Sequence, residues 1–173
     1  MAQTLKPFIS ERRLQARVRA LGRAIRADYK GRDLILVGIL KGSFIFMADL
    51  VRAIHLPLTC DFLRVSSYGS GTASSGKIRM EYDLSHSVKG KDVLLVEDIV
   101  DTGWTLDHVM KVLRAKKPRS LKLTALLHKP ERTRVDVPID YLGFTIPDRF
   151  VVGYGLDFDG RYRNLRHLAV LNA

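Results

Sequence analysis

The chain of 173 residues holds a single cysteine, Cys60, a single tryptophan, Trp104, and many fewer acids than bases. One cysteine allows no internal disulfide and no cysteine-based metal cluster. Cys60 lies in an apolar stretch and reads as a buried structural thiol rather than a nucleophile. No apolar run approaches the roughly 18 residues that a membrane span needs. The opening residues, MAQTLKPFISERR, lack the apolar segment of a secretory signal. None of the five histidines stands at metal-ligand spacing from another, which argues against zinc. Neither a G-x-x-x-x-G-K-[ST] loop nor a G-x-G-x-x-G turn after a strand occurs, so a Walker loop is excluded and a dinucleotide site is unsupported. Together these absences point to a cytoplasmic protein with no membrane partner.

The chain has positive charge in excess. Lysine and arginine number 29 against 18 acids, a net charge of +11. Such a field attracts anions: nucleic acid, anionic lipid or phosphorylated small molecules. Residues 11–32 carry eight basic residues against two acids. A solvated helix face is the plainer account of that cluster, and a surface tracking a phosphate backbone is its rival.

The apolar pattern predicts alternating helices and short strands. Ser10 can cap a helix to about Tyr29, with Leu14, Val18, Leu21 and Ile25 on one stripe. Residues 33–40 (DLILVGIL) read as a strand buried on both faces. Phe44, Met47, Leu50, Val51 and Ile54 make a second helical stripe ended by Pro57. Residues 58–65, 77–82, 93–96 and 121–127 read as strands, and 141–144 and 150–154 as shorter ones. Leu106, Val109, Met110 and Leu113 form a third helical stripe. Residues 66–76 (SSYGSGTASSG) are nearly all small and polar, as expected of a lid. The alternation predicts an α/β fold, a mostly parallel twisted sheet with helices on both faces.

Residues 93–105 (VLLVEDIVDTGWT) carry the chemistry. A strand followed by a turn rich in threonine and glycine, then a helix, leaves backbone N–H groups free at a helix N-terminus, which is a phosphate cradle. Gly103 permits close approach, and Thr102 and Thr105 add hydroxyls. Three carboxylates, Glu97, Asp98 and Asp101, repel a phosphate unless something offsets them. They bind sugar hydroxyls, or they face a divalent cation, or one serves as a base. A phosphorylated ribose with magnesium satisfies all three.

The same segment resembles the phosphoribosyl pyrophosphate (PRPP) signature of the type I phosphoribosyltransferases, and its Glu-Asp-Ile-Val-Asp run resembles the hypoxanthine-guanine branch. Further similarities follow in order over about residues 33–166. Leu40, Lys41, Gly42 and Ser43 resemble the pyrophosphate loop, and Ser67, Tyr68 and Gly69 the mobile catalytic loop. Residues 127–130 (LHKP) resemble the base-recognition segment. Residues 147–157 and 162–165 resemble the C-terminal hood.

The resemblance implies one domain over residues 1–173, with a hood from the N-terminal residues and about 147–173, and a mobile loop at about 66–80. It implies transfer of 5-phosphoribosyl from PRPP to N9 of hypoxanthine or guanine, giving IMP or GMP and pyrophosphate in purine salvage. Asp101 is then the base near purine N7. Glu97, Asp98, Asp101, Thr102, Gly103, Trp104 (through its N–H) and Thr105 bind the phosphoribosyl part. Lys41, Gly42 and Arg163 bind pyrophosphate. Lys129, Phe150, Val151 and Asp157 bind the purine. Magnesium is the implied cofactor, held by Glu97, Asp98 and Asp157. The peptide between Leu40 and Lys41 is a candidate for the cis form. Asp148 and Asp159 have no implied role and read as surface acids. PRPP and a 6-oxopurine are the implied partners, with a homodimer or homotetramer as the assembly. An RNA-binding regulator on the same fold and a xanthine-preferring enzyme are the rival readings.

Overall fold

The computed structural model describes residues 4–67 and 78–172. A six-stranded sheet forms the centre: β2 (Leu34–Leu40), β3 (Thr59–Ser67), β4 (Ile78–Tyr82), β5 (Asp92–Val100), β6 (Ser120–His128) and β7 (Tyr141–Thr145). Its order is β4-β3-β2-β5-β6-β7, parallel except for β4, which pairs antiparallel with β3 at one edge. Three helices cover it: α1 (Glu11–Tyr29), α2 (Phe44–Ile54) and α3 (Trp104–Ala115). A second, antiparallel sheet of three strands has the order β1-β9-β8, from β1 (Thr4–Ile9), β8 (Val151–Val152) and β9 (Leu168–Asn172).

The two faces of the main sheet bury different cores. Leu34, Leu36, Leu94 and Val96 pack with α1, α2 and residues of the small sheet. Ile35, Val37, Val93 and Leu95 pack with Leu106, Val109, Met110 and Leu113 of α3. This is the strand alternation of period two, doubled because both faces are covered. Ser10 caps α1, its Oγ accepting from Arg13 N at 3.4 Å. Arg17 donates to the carbonyls of Gly143 at 2.9 Å and Leu142 at 2.5 Å, which fastens the basic helix to the β7 edge. Part of the N-terminal charge is therefore structural.

Several expectations need correction. Cys60 is exposed, because it stands at the start of β3 beyond the reach of β4, which pairs only from Arg64 onward. The buried aromatic of α2 is Phe46, while Phe44 faces outward at the first turn. α2 ends at His55, in a left-handed conformation, before Pro57 is reached. In the 66–80 segment, Ser66 and Ser67 extend β3, and 78–80 belong to β4. Tyr68 and Gly69 lie outside the described residues. β1 and β9 are not among the expected strands, although each completes the small sheet and β9 is a short buried apolar run.

Candidate active site

Strand order reverses between β2 and β5. From β2 the chain moves one way to β3, and from β5 the other way to β6 and β7. Such a switch point opens a crevice at the strands' carboxyl ends. The chain leaves β2 into Lys41-Gly42-Ser43 and α2, and leaves β5 into Asp101-Thr102-Gly103 and α3. Ser43 and Gly103, the residues before α2 and α3, give no side-chain cap, unlike Ser10 before α1. Both helices at the crevice thus begin without a side-chain cap, the Phe44 N–H of α2 reaching only the Lys41 carbonyl at 3.4 Å, an arrangement suited to an anion.

Gly103 has φ +88°, and a Cβ there would lie 2.1 Å from the carbonyl oxygen of Val135. Only glycine makes this turn, and it lets Thr102 accept from the N–H groups of Arg134 and Val135 at 2.9 and 3.0 Å. A cavity of about 120 Å³ lies at the start of α3, lined by Glu97, Ile99, Asp101, Thr102, Gly103, Thr105 and Leu106. Trp104 is 59% exposed and points away from the core.

On the β2 side, the Leu40–Lys41 peptide is cis. Gly42 abuts Asp98 so closely that a Cβ would meet Asp98 Oδ2 at 1.6 Å. Gly155, at φ +105°, presses on the Gly42 carbonyl, where a Cβ would lie 2.2 Å from the oxygen. Arg163 donates to the Gly155 carbonyl at 2.6 Å and pairs with Asp157 at 2.6 Å. Lys41 is exposed at the crevice rim.

The second and larger cavity, about 460 Å³, is lined by Asp98, Ile99, Asp101, Lys129, Arg132, Asp148, Phe150, Val151, Leu156 and Asp157. Lys129 follows β6, its N–H donating to the Val100 carbonyl at 2.9 Å. Its Nζ donates to Asp148 Oδ1 at 3.3 Å. Arg132, at the end of a 3-10 turn (Pro130–Arg132), donates from Nε to Asp101 Oδ1 at 2.6 Å and from Nη1 to Asp148 Oδ2 at 3.4 Å. Phe150 is half-exposed and meets Phe158 edge-on, with centroids 5.7 Å apart. Val151 is buried beneath it in β8.

The expected trio of metal acids is not gathered at one point. β5 runs to Val100, so Glu97 and Asp98 are strand residues and alternate. Asp98 lines the larger cavity with Asp157, while Glu97 lines the smaller one. Among the described residues, no three acids, histidines or cysteines converge as a metal cage. Asp148 is also not an idle surface acid, since it lines the larger cavity between Lys129 and Arg132.

The two strand acids are starved of solvation. Both residues keep some surface, yet their carboxyl groups are enclosed by protein. Burial, then the neighbouring Asp98, pushes Glu97 well above the usual carboxylate range, and its Oε2 is buried without a partner. Burial pushes Asp98 up to about 6, opposed by the N–H of Ile99 and by Arg163, and reinforced by Asp157. The same burial that raises Glu97 disfavours its charged form, which eases the repulsion noted in the sequence.

Sequence reasoning missed Arg132, Asp148, Leu156 and Phe158. Arg132 had one local signal, since Pro130 one residue after Lys129 favours a tight turn that brings position 132 back toward the crevice. The others lie in the hood-like segment and carried no pattern of their own.

The matching family is the phosphoribosyl transferase domain, over residues 10–159, and the chain belongs to it. Its similar proteins include members of the hypoxanthine-guanine branch. The hypoxanthine-guanine phosphoribosyltransferase of Dictyostelium discoideum is 53% identical over 168 residues, covering 95% of this chain and 93% of the relative. A hypoxanthine phosphoribosyltransferase structure from Staphylococcus aureus superposes with a TM-score of 0.93 at 44% identity, covering 96% of this chain and 91% of that one. A variant of the Trypanosoma cruzi hypoxanthine phosphoribosyltransferase, solved as a ternary substrates complex, gives 0.91 at 43% identity, covering 96% and 95%. Among the described residues, no helix is long and apolar enough to cross a membrane.

Proposed function

We propose that this chain is a hypoxanthine-guanine phosphoribosyltransferase of purine salvage, transferring 5-phosphoribosyl from PRPP to purine N9 with release of pyrophosphate. The observation that carries the reading is the meeting of two uncapped helix starts at one switch point, with a cavity of about 460 Å³, ample for a purine, beside them. The 5′-phosphate takes the cradle of Thr102, Gly103, Thr105 and the Trp104 N–H. Pyrophosphate takes the backbone of Lys41 and Gly42, with Arg163 swinging from Asp157 to meet it. Asp98 and Glu97 flank the ribose from opposite faces of β5.

The purine lies between Phe150 and the floor of the larger cavity, with Val151 along its edge. Lys129 donates to the 6-oxo group, and an adenine amino group there would set donor against donor. Arg132 holds one oxygen of Asp101, which leaves the other to take the purine proton as N9 attacks. Transfer of this kind passes through an oxocarbenium-like state, which the adjoining carboxylates stabilise.

Asp98 and Asp157 suit a hydrated magnesium ion, which takes one or two carboxylates and keeps its remaining ligands as water and substrate oxygens. Burial and the nearby Asp157 both raise Asp98, a repulsion that a cation between the two carboxyls would relieve. When bound, magnesium neutralises the pyrophosphate leaving group. Glu97 is withdrawn from that set.

By analogy with the family, the active form is a homodimer or homotetramer. We read residues 1–173 as one working unit, with the small sheet as a hood over the larger cavity. An exposed free thiol at Cys60 suits a reducing cytoplasm.

The test is steady-state release of pyrophosphate from PRPP with hypoxanthine, guanine and xanthine in turn, with and without magnesium. Asp101→Asn is expected to cut turnover by about 10²-fold or more. An enzyme inert to all three purines, or an Asp101→Asn variant with near-parental turnover, would overturn the reading. Steeply salt-dependent RNA binding by an inert protein would favour the regulator instead.

A further inference from the structure

We propose that Arg132 and Asp148 are positioning residues that set the geometry of the two purine-reading groups, Asp101 and Lys129. The inference rests on the purine reading above and adds the means by which that pair is held.

The four side chains form one chain of alternating charge. Asp101 Oδ1 accepts from Arg132 Nε at 2.6 Å, Arg132 Nη1 reaches Asp148 Oδ2 at 3.4 Å, and Asp148 Oδ1 accepts from Lys129 Nζ at 3.3 Å. Asp148 spends one oxygen on each cation, and Arg132 spends one nitrogen on each carboxylate. All four line the same cavity. The two ends come from different strands: Asp101 follows β5 and Lys129 follows β6. The bond from Lys129 N to Val100 O fixes their backbones but leaves long side chains free to turn.

The Lys129 side chain is only 9% exposed. A buried ammonium needs a counter-charge, which a neutral purine carbonyl does not supply. Asp148 supplies it and leaves two Nζ protons for the substrate. At the other end, Arg132 occupies one Asp101 oxygen and leaves the second for the purine proton. Neither contact has to break for the base to bind, so the chain acts as a gauge between two recognition points rather than as a plug.

The Arg132 and Asp148 side chains are 45% and 43% exposed. Pairs at that exposure contribute little to stability. A purely surface role therefore predicts variants that melt and react like the parent. A positioning role predicts normal melting with a selective kinetic defect, because small misplacements of a reacting group are costly.

The experiment measures initial rates with hypoxanthine and PRPP each varied, for Arg132→Gln, Asp148→Asn, Arg132→Lys and the Gln/Asn double variant. Each of the first two is expected to raise KM for hypoxanthine about tenfold, with KM for PRPP within about twofold of the parent. Arg132→Lys, whose single ammonium lacks the fork that serves both carboxylates, should recover only part of the loss. The double variant should be no worse than the worse single one, because both break one chain. Parental KM for hypoxanthine in either single variant would overturn the proposal. So would an equal rise in both KM values, or defects that multiply. A parent inert toward every purine would sink both readings, whereas an active parent with indifferent variants would sink this one alone.

Discussion

Gly42→Ala tests the crevice more sharply than removing a charged group does, because it adds one methyl and deletes nothing. The new Cβ would sit 1.6 Å from Asp98 Oδ2 and 2.4 Å from its Cγ. The carboxyl must retreat by roughly 1.4 Å to reach even a tight contact. It is held by the Ile99 N–H at 2.9 Å and enclosed by protein, so the retreat disturbs both. Overpacking of this kind costs about 1–3 kcal/mol of stability, and a misplacement of about 1 Å at a reacting site can cost about 10²-fold in rate. Gly42 is not at positive φ, so backbone strain adds nothing. Gly90→Ala is the matched control. Gly90 has φ +73°, and no atom lies within 4 Å of where its Cβ would stand, so only about 1 kcal/mol of backbone cost is expected. The assay is steady-state turnover with varied PRPP, beside thermal melting of both variants. Gly42→Ala should lose about 10²-fold in kcat/KM for PRPP while Gly90→Ala keeps parental kinetics. Parental kinetics in Gly42→Ala would refute the packing of the Lys41–Ser43 loop on Asp98.

Asp98→Asn should trade activity for stability. Asp98 has a folded pKa of about 6, above its ordinary 3.8, so the folded state binds the proton more tightly than the unfolded chain does. Its favourable contribution is full below about pH 4 and lost as pH rises through about 6. At pH 7.5 the ionised carboxyl then costs the ligand-free protein about 2–3 kcal/mol. The asparagine variant should melt higher than the parent at pH 7.5, with the difference vanishing near pH 4. A melting difference that does not change with pH would contradict it. Trp104→Ala should leave turnover within about twofold, since surface truncations away from a contact have small effects. A large loss there would mean that the indole touches substrate.

Much of the fold was legible because its signals are periodic. The four apolar positions of α3 are all buried, as is the α1 stripe. The short apolar runs became central strands because only a sheet covered on both faces tolerates them. The small sheet was legible only in part. Residues 150–154 read as a short strand and hold β8, while β1 and β9 pair across the length of the chain, so neither has meaning until the other is placed. The phosphate cradle could be read because it is local, a strand end, a glycine and a helix start within one segment. The larger cavity is assembled from β5, β6 and residues 148–157, and Arg132 and Asp148 acquire a role only once those are side by side.

The adjacent acids show the same limit at the scale of two residues. Glu97 and Asp98 read naturally as a pair, and a pair suggests one metal. β5 continues through them, and a strand sends successive side chains to opposite faces. Glu97 follows Val93 and Leu95 toward α3, and Asp98 follows Leu94 and Val96 toward the face of α1 and α2. The order then breaks. Ile99 packs on the face of α1 and α2 like Asp98, and Val100 on the α3 side. The β5–β6 register itself runs unshifted through this point, Glu97 opposite Ala125 and Ile99 opposite Leu127. Asp101, just past the end of the strand, borders both cavities. One carboxylate thus faces the space at the start of α3 on one side and the space beside Lys129 on the other.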